Sequence, residues 1–355
     1  MDFKLTPEIE EKVKLLALKY ESMGQDLTAY LDGLLYANYL TYWDYIHLDT
    51  LLSLQDPKTD FPDETIFITY HQITELYFKL IMHELDQVSW LKDSNGKIFL
   101  EKIRRVNRYF RHLVNSFEIM VEGMDYNEFL KFRMSLLPAS GFQSAQYRQI
   151  EILCTDFRFL VEASQRDLFD EHSRIEEMFG YAYWKRGSIE TGTGHKTLTL
   201  RQFERKYSED LLKLTKRCRT RNLWFIFSNR LQDSNLKDKI IHELRTLDAL
   251  VNIDWRLSHF QAAVRYLNKD TQAVAATGGT NWQKYLPPRF QKQVFYPSLW
   301  SKEELENWGK SWVIQHVGSR TRVTAPSPSD SFRSEGKPNP DATNGENPTD
   351  DTSKG

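Results

Sequence analysis

Apolar residues recur along this chain at helical spacing, and alternating strand patterns are scarce. Ile66, Ile73, Leu76, Leu80 and Leu85 form one such series; Leu211, Leu212, Leu214 and then Leu244, Leu247, Leu250 repeat it. Proline is absent from Asp63 to Leu137 and again from Ala139 to Leu286. Proline is excluded from helix interiors, so both intervals permit long helices. The pattern predicts an all-α fold, a bundle with long helices.

The elements follow from caps and breakers. A first helix starts at Thr6, with Pro7 at its first position and Glu8 and Glu10 near the positive end of its dipole, and stops near Gly24. A second covers Leu27 to Tyr39 and a third Tyr42 to Leu52. The segment from Gln55 to Pro62 is a loop. A long helix runs from Glu64 to Asp93, Asn95-Gly96 turns the chain, and another helix continues to Glu122. Pro138 and Gly141 then break the chain, and Gln143, Gln146, Tyr147 and Arg148 restart a helix. Gly187 to Lys196 is a loop. Ser234 is the expected N-cap of a long helix reaching Leu267. Ala275 to Thr280 is expected to be a mobile loop. From Val317 to Gly355, Ser, Pro, Asp, Asn, Gly and Thr replace large apolar residues, a composition that cannot offset the entropy of ordering. Residues 1–316 are therefore expected to form the folded domain and 317–355 a disordered tail. No internal repeat stands out.

Composition narrows the function. A net charge of -2 gives no electrostatic footprint for nucleic acid. Two cysteines, Cys154 and Cys218, argue against a disulfide scaffold and against thiolate metal clusters. No Cys-x-x-Cys-His occurs, so any haem would be held non-covalently. Aromatics at 13% suit a pocket for a flat group, though a large core also uses them. The N-terminus does not read as a signal peptide and no apolar run approaches a membrane span, so the expected location is cytoplasmic.

Candidate chemistry centres on two of nine histidines. Phe67 and His71 are four apart and share a helix face, where an aromatic ring and an imidazole can meet a flat heteroaromatic and its N–H. From spacing alone His71 reads as readily as a structural histidine bonded to a backbone carbonyl. His259 lies mid-helix with Ala262 and Ala263 one turn on, leaving room for a large flat group. It can be an axial haem ligand or a packed core histidine. Arg256 and Arg265 are candidates for pairing with haem propionates. Arg133 sits inside an apolar helical run, and its guanidinium needs an anion there, a carboxylate matching its fork best. Other metal readings fail on spacing. Glu-x-x-His pairs on two helices are missing, and His83-Glu84 and His242-Glu243 lack the second histidine of a zinc-protease helix.

Several blocks together carry a resemblance. They are Leu40 to Asp49, Phe67 to Leu76, Arg133 with Pro138-Ala-Ser-Gly-Phe-Gln-Ser and Gln146-Tyr147-Arg148, Trp255-Arg256-x-x-His259 with the later Thr277-Gly-Gly-Thr280, and Phe295-Tyr-Pro-Ser-Leu-Trp300. In this order they resemble the tryptophan 2,3-dioxygenase family, haem enzymes that open the indole ring of tryptophan. The resemblance implies a dioxygenase that converts L-tryptophan and O2 to N-formylkynurenine, the first step of tryptophan catabolism by the kynurenine route. It implies haem b with iron in the Fe(II) state.

By the same resemblance His259 is the proximal ligand of the haem iron and His71 the distal histidine that hydrogen-bonds the indole N–H. Phe67 and Phe129 are pocket walls, Arg133 clamps the substrate carboxylate, and Ser140 and Gly141 line the distal side where dioxygen sits. Thr277 bonds the amino-acid part of the substrate. Tyr42, Tyr45 and Ile46 come from a neighbouring subunit, which implies a homotetramer built as a dimer of dimers, with helices in residues 1–39 in oligomer contacts. The stretch Asn268 to Ala276 departs from the family pattern, since the expected glycine and lysine before Thr277 are missing. That departure leaves two alternatives: a related haem enzyme acting on a substituted tryptophan or another indole, or a haem-binding sensor without turnover.

Overall fold

The computed structural model describes residues 5–37, 40–91, 95–136, 143–186, 188, 195–269, 272–273, 288 and 292–310. The fold is all-α. In chain order the helices are α1 (Pro7–Ser22), α2 (Leu27–Leu35), α3 (Tyr42–Ile46), α4 (Leu48–Leu52), α5 (Asp63–Ser89), α6 (Gly96–Glu122), α7 (Tyr126–Phe132) and α8 (Ala145–Cys154). They continue as α9 (Ile175–Gly180), α10 (Tyr183–Arg186), α11 (Leu198–Cys218), α12 (Leu223–Arg230), α13 (Lys237–Ala249), α14 (Trp255–Leu267) and α15 (Lys302–Glu306). Among the described residues, one antiparallel pair of two-residue strands, β1 (Asn268–Lys269) and β2 (Gln272–Ala273), follows α14.

The starts obey the expected chemistry. Thr6 caps α1 by accepting from Ile9 N, with Pro7 at the first helical position, and Gly24 leaves the helix at φ +66, where a side chain would be strained. Asn95 takes Lys97 N and Ile98 N on its side-chain oxygen and caps α6. Gly96 sits close to the following segment: a Cβ there would lie 2.8 Å from Ser234 Oγ and would make that hydroxyl turn aside. The loop before α5 is held by buried Glu64, which accepts from Lys58 N at 2.9 Å and Thr59 N at 2.8 Å.

Helices α5 and α6 form an antiparallel pair at the centre. The register shows in three contacts: Lys102 Nζ lies 2.8 Å from Glu84, Arg105 Nη1 lies 3.4 Å from Glu84, and Ser116 Oγ reaches Tyr70 Oη at 3.4 Å, so residues further along α6 meet residues further back in α5. Helix α6 also packs on α13 and α14, and α5 on α8. One cluster of buried apolar side chains runs from Tyr70 to Tyr296 and includes Phe99, Ile103, Phe110, Leu211, Leu244 and Leu247.

Three features depart from the expected pattern. The third helix is two helices, because His47 adopts φ 53 between them; a left-handed non-glycine residue is uncommon and interrupts the helical ladder. On α5 the buried face is Tyr70, Thr74, Phe78, Ile81, Leu85 and Val88, whereas Ile73, Leu76 and Leu80 are exposed. The helix is apolar on two faces and only one faces this core. Finally, the helix expected from Ser234 begins at Lys237 after a turn in which Ser234 Oγ accepts from Leu236 N. It changes to a π-helical turn over Leu250–Asp254 before resuming as α14.

Asp248 lies beside that π-turn. Its buried carboxylate accepts from Asn252 Nδ2 at 2.8 Å, Phe295 N at 2.9 Å, Tyr296 N at 3.1 Å and Trp300 Nε1 at 3.0 Å. Desolvation pushes its pKa up to about 6 against these four donors. The segment from Phe295 to Trp300 is thereby fastened to α13. Among the described residues, no helix is long and apolar enough to cross a membrane.

Candidate active site

Four elements bring the chemistry-bearing residues together: α5, α6, the α7 end with its 3-10 turn Arg133–Leu136, and α14. Phe67 and His71 share a face of α5 with ring centroids 4.1 Å apart. Phe67 also meets Phe132 at 5.8 Å and Phe129 at 6.2 Å, and Tyr70 meets His71 edge-on at 5.7 Å. From the other side, Phe129 packs on Tyr266 of α14 at 4.5 Å. An aromatic box therefore joins the His71 helix to the His259 helix.

His71 has a defined tautomer. Its Nδ1 lies 2.7 Å from the carbonyl oxygen of Phe67, which can only accept, so Nδ1 carries the proton and Nε2 keeps its lone pair. Burial lowers the His71 pKa, opposed by that hydrogen bond and by the charge of Glu75 one turn on. Glu75 is itself fixed by Gln146 Nε2, which donates to its carboxylate at 2.7 Å and its carbonyl at 3.0 Å.

His259 stands on α14 between buried neighbours, with Trp255 and Arg256 before it and Ala262 after it. Phe117 of α6 stacks against its ring at 5.9 Å and against Trp255 at 4.7 Å. The residue is exposed, yet protein surrounds the imidazole closely enough that desolvation pushes its pKa down to about 4, with the charge of His71 the second cause. A neutral imidazole is the species that ligates iron. Among the described residues no cluster of three or more His, Cys, Asp or Glu side chains could hold a bare metal ion. His259, neutral and set beside aromatic side chains, would fit a metal that arrives with most of its ligands already in place.

Arg133 begins the 3-10 turn and is 4% exposed, and burial lowers its pKa. Its neighbour Phe132 is fully buried against Phe67 and Phe129, which places Arg133 next to the box that holds His71. Arg256 is buried with a protein carboxylate: its Nη2 lies 3.5 Å from Glu151 and 2.9 Å from Tyr183 Oη. Arg265 is exposed in the last turn of α14. Tyr42 and Tyr45 are 70% and 73% exposed within this chain, and Ile46 is half-buried. Ser140, Gly141, Thr277, the Ala275–Thr280 loop and the tail 317–355 lie outside the described residues.

The sequence reading missed Phe117, Phe132 and Tyr266. A signal for Tyr266 existed, since it lies seven residues after His259 and so two turns along the same face. Phe117 belongs to the buried series Phe110, Leu113, Phe117, Met120 and was indistinguishable from plain core.

Comparison with known proteins adds an independent observation. A family model described as Tryptophan 2,3-dioxygenase matches residues 35–178. The chain is 31% identical over 267 residues to the tryptophan 2,3-dioxygenase of Herpetosiphon aurantiacus, covering 74% of this chain and 96% of that protein. It is 28% identical over 272 residues to the enzyme of the same name from Bacillus thuringiensis subsp. konkukian, covering 74% of this chain and 91% of the relative. A shorter match of 125 residues to that of Sorangium cellulosum is 42% identical, covering 32% of this chain and 30% of the relative.

Proposed function

The chain belongs to the tryptophan 2,3-dioxygenase family, and from that premise we propose that it opens the indole C2–C3 bond of L-tryptophan with O2 to give N-formylkynurenine. The observation that carries the proposal is the convergence of His71 and His259 from two helices, with the Phe67 ring against His71, the Phe117 ring against His259 and Phe129 packed on Phe67.

His259 would hold a non-covalent haem b, whose Fe(II) supplies the dioxygen chemistry. The remaining work falls to the chain's own side chains. Arg133 clamps the substrate carboxylate through its planar fork. Phe67 and Phe129 wall one side of the indole and keep water away from it. His71 accepts the indole N–H on Nε2, the nitrogen left with a lone pair by the bond from Nδ1 to Phe67. Holding one N–H and one carboxylate fixes the orientation of the flat ring between them, which is where rate is gained. Ser140, Gly141 and Thr277 complete the pocket in this proposal, and the working unit spans residues 1–316.

The enzyme acts as a homotetramer in this reading, with Tyr42, Tyr45 and Ile46 closing a neighbour's pocket. The support is apolar surface: Leu34, Leu35 and Tyr36 of the second helix region, like Tyr42 and Tyr45, stand in solvent in the single chain.

A second reading, oxidation of a substituted tryptophan or another indole, is favoured by the β1–β2 hairpin that occupies the stretch where the expected glycine and lysine are missing. One experiment separates the two readings. Purified ferrous protein is mixed with tryptophan and O2, and the product is weighed. A product heavier than tryptophan by two oxygen atoms supports the first reading. A Soret band with no product from tryptophan, but turnover of a substituted indole, supports the second. Absence of any Soret band after haem loading refutes both.

A further inference from the structure

Behind the proximal helix lies a buried polar cluster that the proposed chemistry does not use. Helix α8 supplies Arg148 and Glu151, α10 supplies Tyr183, and α14 supplies Arg256, three residues before His259. All four are buried, Glu151 completely. Glu151 accepts from Arg148 Nη1 at 2.7 Å on one oxygen and from the Tyr183 hydroxyl on the other, beside Arg256 Nη2 at 3.5 Å. The Tyr183 hydroxyl in turn accepts from Arg148 Nη1 at 2.7 Å and Arg256 Nη2 at 2.9 Å. One donor and two lone pairs are all that a hydroxyl has, and all three are engaged.

The location gives this cluster a task. The helix that carries His259 does not continue α13 directly; the π-turn Leu250–Asp254 intervenes. Each residue inserted into a helical turn rotates everything after it by about 100° about the axis relative to an unbroken α-helix. The azimuth of α14 must therefore be fixed by contacts of its own. Trp255 contributes through the rings of Phe78 and Phe117, contacts that tolerate small slides. The hydrogen bond from Arg256 Nη2 to the Tyr183 hydroxyl is directional and does not, and Glu151, 3.5 Å from the same nitrogen, adds charge attraction and holds that hydroxyl in place.

We propose that Tyr183 and Glu151 are positioning residues for His259: acting through Arg256, they set the rotation of α14 and hence the direction in which the His259 imidazole points. The proposal rests on the reading of His259 as the axial haem ligand. It also gives Arg256 a partner inside the protein, Glu151, in place of the haem propionate expected from sequence.

The test uses the full-length haem-loaded protein and two readouts, the iron–imidazole stretching band of the ferrous form and the rate of haem transfer to an excess of a haem-scavenging apoprotein. Tyr183→Phe keeps the ring and removes the hydroxyl. It should keep the wild-type far-ultraviolet circular dichroism, shift or broaden the iron–imidazole band, and lose haem at least tenfold faster. Arg256→Lys, which keeps the charge but not the fork, should move both readouts in the same direction and stands in if Tyr183→Phe fails to fold. Leu214→Ala, a core change on α11, is the control for stability alone and should leave the band in place. The proposal is overturned if the band and transfer rate of Tyr183→Phe or Arg256→Lys match wild type, or if Leu214→Ala moves the band as far. Wild-type protein that takes up no haem would sink the functional reading itself, and is seen before any variant is made.

Discussion

His71 donates from Nδ1 to the carbonyl oxygen of Phe67, 2.7 Å away and one helical turn back on the same helix. That bond uses a carbonyl already within a helix, so it costs the fold little and commits Nε2 to being an acceptor. It also predicts a pH profile. Burial holds the His71 pKa below its ordinary 6.5, so the imidazole is neutral at neutral pH. A depressed pKa means the competent form persists above 6.5 and is lost only as pH falls through the lowered value. The kcat/KM for tryptophan should therefore be flat above neutrality and fall on the acid side, with an apparent pKa under 6.5. His71→Ala should flatten that acid limb and reduce the preference for tryptophan over its N1-methyl derivative, which has no N–H to give. An acid limb unchanged in His71→Ala would assign the titration elsewhere.

Arg133 yields a binding prediction. It is buried at the edge of the aromatic box, where a charge-assisted pair with a carboxylate is poorly screened. Removing one partner of such a pair costs roughly 2–5 kcal/mol, so Arg133→Ala should raise the KM for tryptophan by about 30-fold or more. Arg133→Lys keeps the charge without the fork and should fall between. Tryptamine, lacking the carboxylate, should be handled alike by wild type and Arg133→Ala. If Arg133→Ala instead leaves KM for tryptophan unchanged, the clamp is some other group.

The reach of the sequence was uneven for physical reasons. Helix existence, the start of α1 at Thr6 and Pro7, the break at Asn95-Gly96 and the core series of α13 follow from local spacing, and they were legible. So was the pairing of Phe67 with His71, which needs only a four-residue interval. On α5 the apolar series chosen from spacing included Ile73, Leu76 and Leu80, which face away from this core; a helix apolar on two sides gives periodicity no means of choosing between them. Asp248, beside the π-turn, bonds Phe295, Tyr296 and Trp300 some fifty residues on, and no window of local sequence contains that contact. The Arg256–Glu151 pair was hidden for the same reason, since its partners lie on separate helices.

The two-faced character of α5 leads to an association prediction. Ile73, Leu76 and Leu80 form an exposed apolar stripe on the same helix that carries His71. With the apolar side chains that α1 and α2 expose, none of whose residues is buried, the chain presents more apolar surface than a monomer usually keeps. Leu76→Glu with Leu80→Glu should lower the oligomer mass measured by light scattering or sedimentation. Tyr42→Ala should raise the KM for tryptophan although Tyr42 is remote from solvent-shielded contacts in its own chain. A monomeric wild-type protein with full activity would remove both expectations.

The last prediction concerns what fastens the C-terminal segment. Asp248 receives two backbone N–H groups, the Trp300 indole N–H and the Asn252 amide, all at 2.8–3.1 Å. Removing the carboxylate strands these donors in a buried site, and each stranded donor costs about 1–3 kcal/mol. Asp248→Ala should therefore destabilise the protein by roughly 3 kcal/mol or more in urea unfolding, even after water fills part of the gap. Asp248→Asn is the sharper probe. It keeps one acceptor oxygen but turns an amide NH2 toward groups that can only donate, so it should recover only part of the loss. The charge also has a pH signature. Desolvation raises the native pKa to about 6 from an ordinary 3.8, so the native state holds a proton that the unfolded chain has given up between those values. Stability contributed by this site is greatest below 3.8 and declines as pH rises through about 6. Wild type compared with Asp248→Asn across that window isolates the effect, because the amide does not titrate. The stability of wild type relative to Asp248→Asn should fall between those two pH values and level off above them; a difference that stays constant across the window would mean that Asp248 is ionised throughout.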